Sequence, residues 1–224
     1  MGRDGPAPAA AVHYPRVVSA RPPGRTDTAV ARGEARRTAI VEAATEMFAE
    51  TGYHATTLAD VGARAGIKRP AVLHHFASKE LLVHAVLDEH ERRFNEVRIR
   101  IAQHRGLEAL RQMVQIVEFQ RDNPKRTVLW NMLLAESATP DAPLRERMLV
   151  NYNLFRLSVT FLLQQAQEDG ELRPGVDFDR EANALIAFFN GLETSWLLDP
   201  DVDMVELARW FLDDMIARVG LQAG

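Results

Sequence analysis

The sequence predicts an all-α protein of about nine helices. From Gly33 almost to the end, apolar residues recur at steps of three and four. No stretch alternates apolar and polar residues for the length of a useful strand. The breaks between periodic segments are Gly, Pro, Asn and Asp, the residues that stop helices. With 224 residues, 46% of them apolar, the chain can bury a real core. No run approaches the roughly 18 apolar residues of a membrane-spanning helix. The opening MGRDGPAPAAAVHYPRVV lacks the continuous apolar segment of a signal peptide. Cysteine is absent, which excludes disulfides, thiolate nucleophiles and cysteine metal sites and fits a reducing cytoplasm.

Taken in order, residues 1–32 hold five prolines and five arginines with no apolar period, and predict a disordered basic tail. Ile40, Ala43, Ala44, Met47 and Phe48 mark a first helix that ends near Thr51-Gly52. Two short helices follow within TTLADVGARAGIKRPAVLHHF, residues 56–76. Ser78 caps the next helix, predicted over 79–104, whose stripe is Val83, Leu87, His90, Phe94, Val97 and Ile101. Gly106 ends it. Leu107, Leu110, Val114 and Val117 mark another, stopped by Asn123-Pro124. Further helices are predicted over about 125–137, 143–169 and 178–198, and a last one carries Val205, Ala208, Leu212, Met215 and Val219.

The two short helices have the build of a helix-turn-helix. Thr57 suits an N-cap, with Asp60 three residues on. Gly66 stands where a chain leaves a helix in the left-handed conformation. Pro70 fits the first turn of the second helix, where no N–H is needed. Val72 and Phe76 are predicted inward, leaving Lys68, Arg69, Ala71 and His74 outward. In this motif the start of the second helix meets base edges in the major groove, and an arginine fork matches the two acceptors of guanine. Thr56, Thr57 and Lys79 suit phosphates. Residues 1–82 carry 11 Lys+Arg against 8 Asp+Glu, the remainder 16 against 23, so the modestly basic end is the one that can approach a polyanion.

The run from Arg37 to Leu82, with RRTAIVEAATEMFAETGYHATTLADVGARAGI and HHFASKELL, resembles the DNA-binding domain of TetR-family transcriptional regulators. It departs from that pattern at Lys68, where the family usually has Ser or Thr, and at Leu73, where it usually has Tyr and where Leu cannot hydrogen-bond a phosphate. The remaining residues resemble the family's helical effector and dimerisation domain in length and helix number. The resemblance implies a DNA-reading domain over 33–78 and a ligand-binding and dimerisation domain over 79–224. It implies a homodimer that binds a palindromic double-stranded operator through Thr56, Thr57, Lys68, Arg69, Pro70, Ala71, His74 and Lys79. It also implies a four-helix interface built from 143–169 and 178–198 and a largely apolar small-molecule effector. An effector pocket is expected from Phe94, Phe119, Trp130, Leu133, Tyr152, Phe155, Asn190, Glu193 and Trp196, with ligand lowering operator affinity through the 79–104 helix.

Other classes find little support. His74 and His75 are adjacent and point about 100 degrees apart on a helix. His84 and Asp88 share a face, but no third metal ligand is evident. There is no Gly-x-Ser-x-Gly, phosphate loop or Gly-x-Gly-x-x-Gly. No catalytic residue, metal or cofactor is predicted. The alternative is a helical ligand- or protein-binding module that no longer binds DNA.

Overall fold

The computed structural model of the protein describes residues 25–221. Among them it holds ten helices and, in place of a strand, one isolated bridge between Leu172 and Gly220. The helices are α1 Arg25–Thr51, α2 Leu58–Arg64, α3 Arg69–His75, α4 Lys79–Ile101, α5 Gly106–Arg111, α6 Val114–Asp122, α7 Pro124–Glu136, α8 Arg145–Glu168, α9 Phe178–Leu198 and α10 Met204–Val219. Sequence periodicity gives nine because only Gln112 and Met113 separate α5 from α6, and Leu107 to Val117 reads as one stripe. The chain divides into two compact units, Met1–Arg36 and Arg37–Gly224, and the buried cores lie in the second. Residues 1–24 of the expected tail lie outside the described residues. Residues 25–32 belong to α1 instead of a tail. The last prolines of that stretch are Pro22 and Pro23, and beyond them no proline stands in the way of a helix.

Local chemistry sets the helix ends. Thr57 and Asp60 form a reciprocal capping box on α2: the Asp60 amide donates to the Thr57 hydroxyl, and the Thr57 amide to Asp60 Oδ2 at 3.0 Å. The Leu81 amide donates to Ser78 Oγ at the start of α4, and the Arg180 amide to Asp177 Oδ1 at the start of α9. Gly66 closes the α2–α3 turn at φ +67°. Gly62 matters for space: a Cβ there would stand 2.6 Å from the Ile67 carbonyl oxygen.

Two buried cores result. The first gathers Ile40, Ala44 and Phe48 of α1, Val61 of α2, Val72 of α3, Phe76, and Leu82, Val83, Val86 and Leu87 of α4. Leu129 and Leu133 of α7, with Leu144 and Met148, complete it. The second gathers Val97 and Ile101 of α4 with apolar residues of α5, α6, α8, α9 and α10. Each fully buried side chain of this size contributes roughly 1.5–3 kcal/mol. Helix α4 is thus held in both cores, its first half in one and its last turns in the other.

Candidate functional site

Helix α3 is a seven-residue helix whose one fully buried residue is Val72, and Phe76 follows it into the same core. A helix so short cannot stand alone. Its anchors are these two residues and the close approach at Gly62. Pro70 lies in its first turn, and Lys68 is its N-cap without a side-chain cap bond. Lys68, Arg69, Pro70, Leu73 and His74 are exposed, and Ala71 is half-buried. The result is one solvated face that opens with two cations. Arg37 places its guanidinium 5.2 Å from the centre of the Phe76 ring, behind that face. Arg64 braces α2 against α1 through Glu46 and Glu50 at 3.0 and 2.6 Å.

Three side chains expected on phosphates are placed otherwise. Thr56 is 1% exposed, and its hydroxyl donates to the Gly52 carbonyl at 2.8 Å. The Thr57 hydroxyl lies 2.7 Å from Asp60 Oδ2, inside the capping box. Lys79 Nζ donates to the carbonyls of Tyr53, His54 and Thr56 at 2.8, 3.1 and 3.1 Å, above the Tyr53 ring. An ammonium has three donors, and all three are taken. Lys79 ties the start of α4 to the loop before α2; it positions the helix pair. His84 and Asp88, which share a face of α4 as a metal pair could, instead flank Arg147, whose Nη2 donates to Asp88 Oδ1 at 2.7 Å.

The second site is a cavity of about 130 Å³ between α4, α6, α7, α8 and α9. Of the expected pocket residues, Phe94, Trp130, Tyr152, Phe155, Asn190 and Glu193 line it. Three do not. Leu133 is fully buried in the first core. Phe119 stands behind the wall, edge-on to Phe94 at 5.8 Å and to His90 at 6.1 Å. Trp196 packs against the second core. Helical spacing assigns a residue to an apolar stripe but does not say which neighbour that stripe meets.

Sequence reasoning misses His90 and Gln120 as wall residues. His90 is stacked on Trp130 at 5.0 Å, and burial, with the Arg126 charge second, pushes its imidazole down to about 4. The signal is present in the sequence: a histidine interrupts the apolar stripe of α4. Glu193 is 3% exposed. Its oxygens accept from the Gln120 side-chain amide and from Asn131 Nδ2 at 2.7 Å. Burial pushes its carboxyl up to about 7 against the lowering by these two amides. Gln120 Oε1 and Arg126 Nη1 are buried without a hydrogen-bond partner.

Family comparisons agree with this arrangement. Residues 40–86 match the family described as bacterial regulatory proteins, tetR family, and residues 104–220 match BetI-type transcriptional repressor, C-terminal. The HTH-type transcriptional regulator TtgR of Pseudomonas putida is 31% identical over 182 residues, 78% of this chain and 87% of its own. A TetR transcriptional regulator from Chloroflexus aurantiacus J-10-FL is 25% identical with a TM-score of 0.75, covering 86% of this chain and 100% of that one. NalD of Pseudomonas aeruginosa, a secondary repressor of the MexAB-OprM multidrug efflux pump, is 25% identical with a TM-score of 0.68, covering 86% and 100%. The family matches and the relative make the chain a DNA-binding transcriptional regulator, and the helix-turn-helix joined to a larger helical bundle fits that class. The chain belongs to the TetR family. Its relatives are transcriptional regulators, a class distinct from enzymes. Among the described residues no helix is long and apolar enough to cross a membrane.

Proposed function

We propose that this chain is a ligand-responsive repressor that binds a palindromic operator as a homodimer, in the cytoplasm. In this reading residues 33–78 read DNA, and 79–224 dimerise and hold the effector. Lys68 and Arg69 supply base and phosphate contacts, His74 adds a contact, and Pro70 and Ala71 shape the approach. Thr56, Thr57 and Lys79 hold the helix pair in place.

The observation that carries the reading is the position of α4. Its first half is packed into the helix-turn-helix core through Leu82, Val83, Val86 and Leu87. Its middle lines the cavity with His90, Glu91, Phe94 and Arg98. A ligand that shifts the middle of a stiff helix moves its packed end, and with it the spacing of two recognition helices in a dimer. Dimerisation is supported by an unpartnered apolar stripe on α8: Val150, Leu154, Leu157 and Phe161 are all exposed, the last two 53% and 57%. Small residues Ala184, Ala187, Gly191 and Ser195 are exposed on the adjacent α9, and they permit close helix packing.

The test is a fluorescence anisotropy titration against DNA from upstream of the chain's own gene, beside a scrambled duplex. The expected result is salt-dependent binding that prefers the native fragment. Lys68→Ala/Arg69→Ala should lower affinity by roughly thirtyfold or more, since two good base contacts at about 1–3 kcal/mol each sum to about 2–6 kcal/mol. Phe161→Glu should yield a monomer in sedimentation and lose operator binding with it. A folded dimer that binds neither duplex at any salt would favour the helical module without DNA.

A further inference from the structure

Helix α9 carries two buried glutamates, and they are treated differently. Glu181 has a counter-charge: Arg218 Nη1 donates to both of its oxygens, at 2.6 and 2.7 Å. Glu193 has none. Its partners among the described residues are the neutral amides of Gln120 and Asn131. Beside it the carbonyl oxygen of Gln120 is buried with no donor. A buried carboxylate without a cation carries a heavy desolvation cost, which a protein keeps only where something else removes it. The cavity wall around this carboxylate is aromatic, with His90 and Trp130 stacked nearly parallel at 16°.

We propose that the cavity takes a small lipophilic organic cation, with its ammonium against Glu193 and its apolar body among His90, Phe94, Trp130 and Tyr152. The inference rests on the effector reading and names the chemistry of that effector. Each part of the site matches one part of such a ligand. The carboxylate supplies the missing half of an ion pair. The ring faces attract a cation through their quadrupoles. Gln120 Oε1 accepts an N–H where the ammonium has one. The volume of about 130 Å³ is slightly below the ~150 Å³ of an apolar cavity that admits benzene, so the cavity is on the scale of one ring and a ligand with an ammonium arm must widen it or reach beyond it. An anion would meet the Glu193 charge. A neutral apolar ligand would leave that charge buried and alone.

The other titratable groups of the wall do not take the place of the ligand. They are His90, Glu91 and Arg98 on α4 and Tyr152 on α8; α6 and α7 contribute none to it. Glu91 is already paired with Arg147 at 2.8 Å and accepts from Asn151 at 2.9 Å. Arg98 places its guanidinium over the Phe94 ring at 5.3 Å and is not among the partners of Glu193. Arg126 lies behind Trp130, beyond the cavity wall.

Benzyltrimethylammonium and its neutral isostere neopentylbenzene test the proposal, with binding followed by tryptophan fluorescence on the full chain. The cation has no titrating group, so any pH dependence belongs to the protein. The cation should bind at least tenfold more tightly than the isostere at pH 8. Glu193→Gln, checked for folding by its melting curve, should reverse that order. In the unmutated protein, affinity for the cation should fall about tenfold from pH 8 to pH 6 as the carboxyl near 7 takes up a proton, and affinity for the isostere should not fall. Equal or tighter binding of neopentylbenzene to the unmutated protein overturns the proposal, and so does a cation affinity that Glu193→Gln leaves unchanged. If the isostere alone binds and releases DNA, the effector reading stands and the cation falls. If the cation binds with the expected pH dependence but never releases DNA, the cation site stands and the effector reading falls.

Discussion

Helix α3 has seven residues and fully buries one of them, Val72; α9 has twenty-one and buries seven, among them Glu181 and Glu193. The short helix spends its apolar residues on being held and presents its chemistry to solvent. The long one turns its chemistry inward. Lys68 and Arg69 sit in water, where their charge costs little until a polyanion arrives. Glu193 sits in a cavity, where its charge is expensive before any ligand arrives. The outward site depends on how well its scaffold is pinned, and the inward site on how its own charge is balanced.

The largest expected effect falls on the pinning. In Gly62→Val the new Cβ meets the Ile67 carbonyl oxygen at 2.6 Å, and Val72 stands at 3.1 Å. The neighbour is backbone and cannot turn aside. Overpacking costs about 1–3 kcal/mol, and more where, as here, the neighbour is backbone. Thermal melting should fall by many degrees, and DNA binding should go with it. A melt unchanged within a degree would mean that the two helices are not locked at this contact.

Next come the buried charges, where the pH dependence has a definite sign. Glu193 ionises near 7 in the folded chain against an ordinary 4.5. As pH rises from about 4.5 to 7 the unfolded chain loses that proton first, so the folded state loses roughly 3 kcal/mol and then levels off. His90 runs the other way, at about 4 against 6.5. As pH falls from 6.5 to 4 the unfolded chain gains a proton first, again at a cost of roughly 3 kcal/mol. Between pH 4.5 and 6.5 the two slopes oppose. Denaturant titrations across this window should therefore show Glu193→Gln gaining stability with rising pH relative to the parent, and His90→Phe losing it. Parallel curves for all three would remove both groups from the balance.

A smaller effect separates positioning from contact. Lys79→Ala frees three carbonyls of the 53–56 loop and should cost about 1–3 kcal/mol in stability. The slope of log affinity against log salt should stay as it was, because this ammonium is already spent. A slope reduced by about one would put Lys79 on a phosphate instead. The smallest effect is Thr57→Ala, which removes one half of the α2 capping box and should lower stability by about 1 kcal/mol. No change in the melt would make the cap dispensable.

Most of the helices and the outward face of the helix pair are written in local sequence; the α5–α6 break and the first turns of α1 are not. The steps of three and four, the caps at Thr57 and Ser78, and the breaks at Gly52, Gly66 and Gly106 are short-range features, fixed by backbone geometry within a turn or two. The outward face of α3 was legible for the same reason: in so short a helix, Val72 and Phe76 can go only inward and Lys68 and Arg69 only outward. The cavity was half legible. Spacing placed Phe94, Tyr152 and Phe155 on apolar stripes, and Asn190 and Glu193 stood out as polar residues on an apolar helix. The packing of the helices against one another settles that Leu133, three residues from Trp130, is buried in the first core and does not line the cavity, that Gln120 and Asn131 meet Glu193 from 73 and 62 residues away, and that Lys79 Nζ is taken by Tyr53, 26 residues back. Periodicity is a property of one helix. A cavity, and the balance of charge within it, is a property of five helices packed together, and no one of them carries that pattern alone.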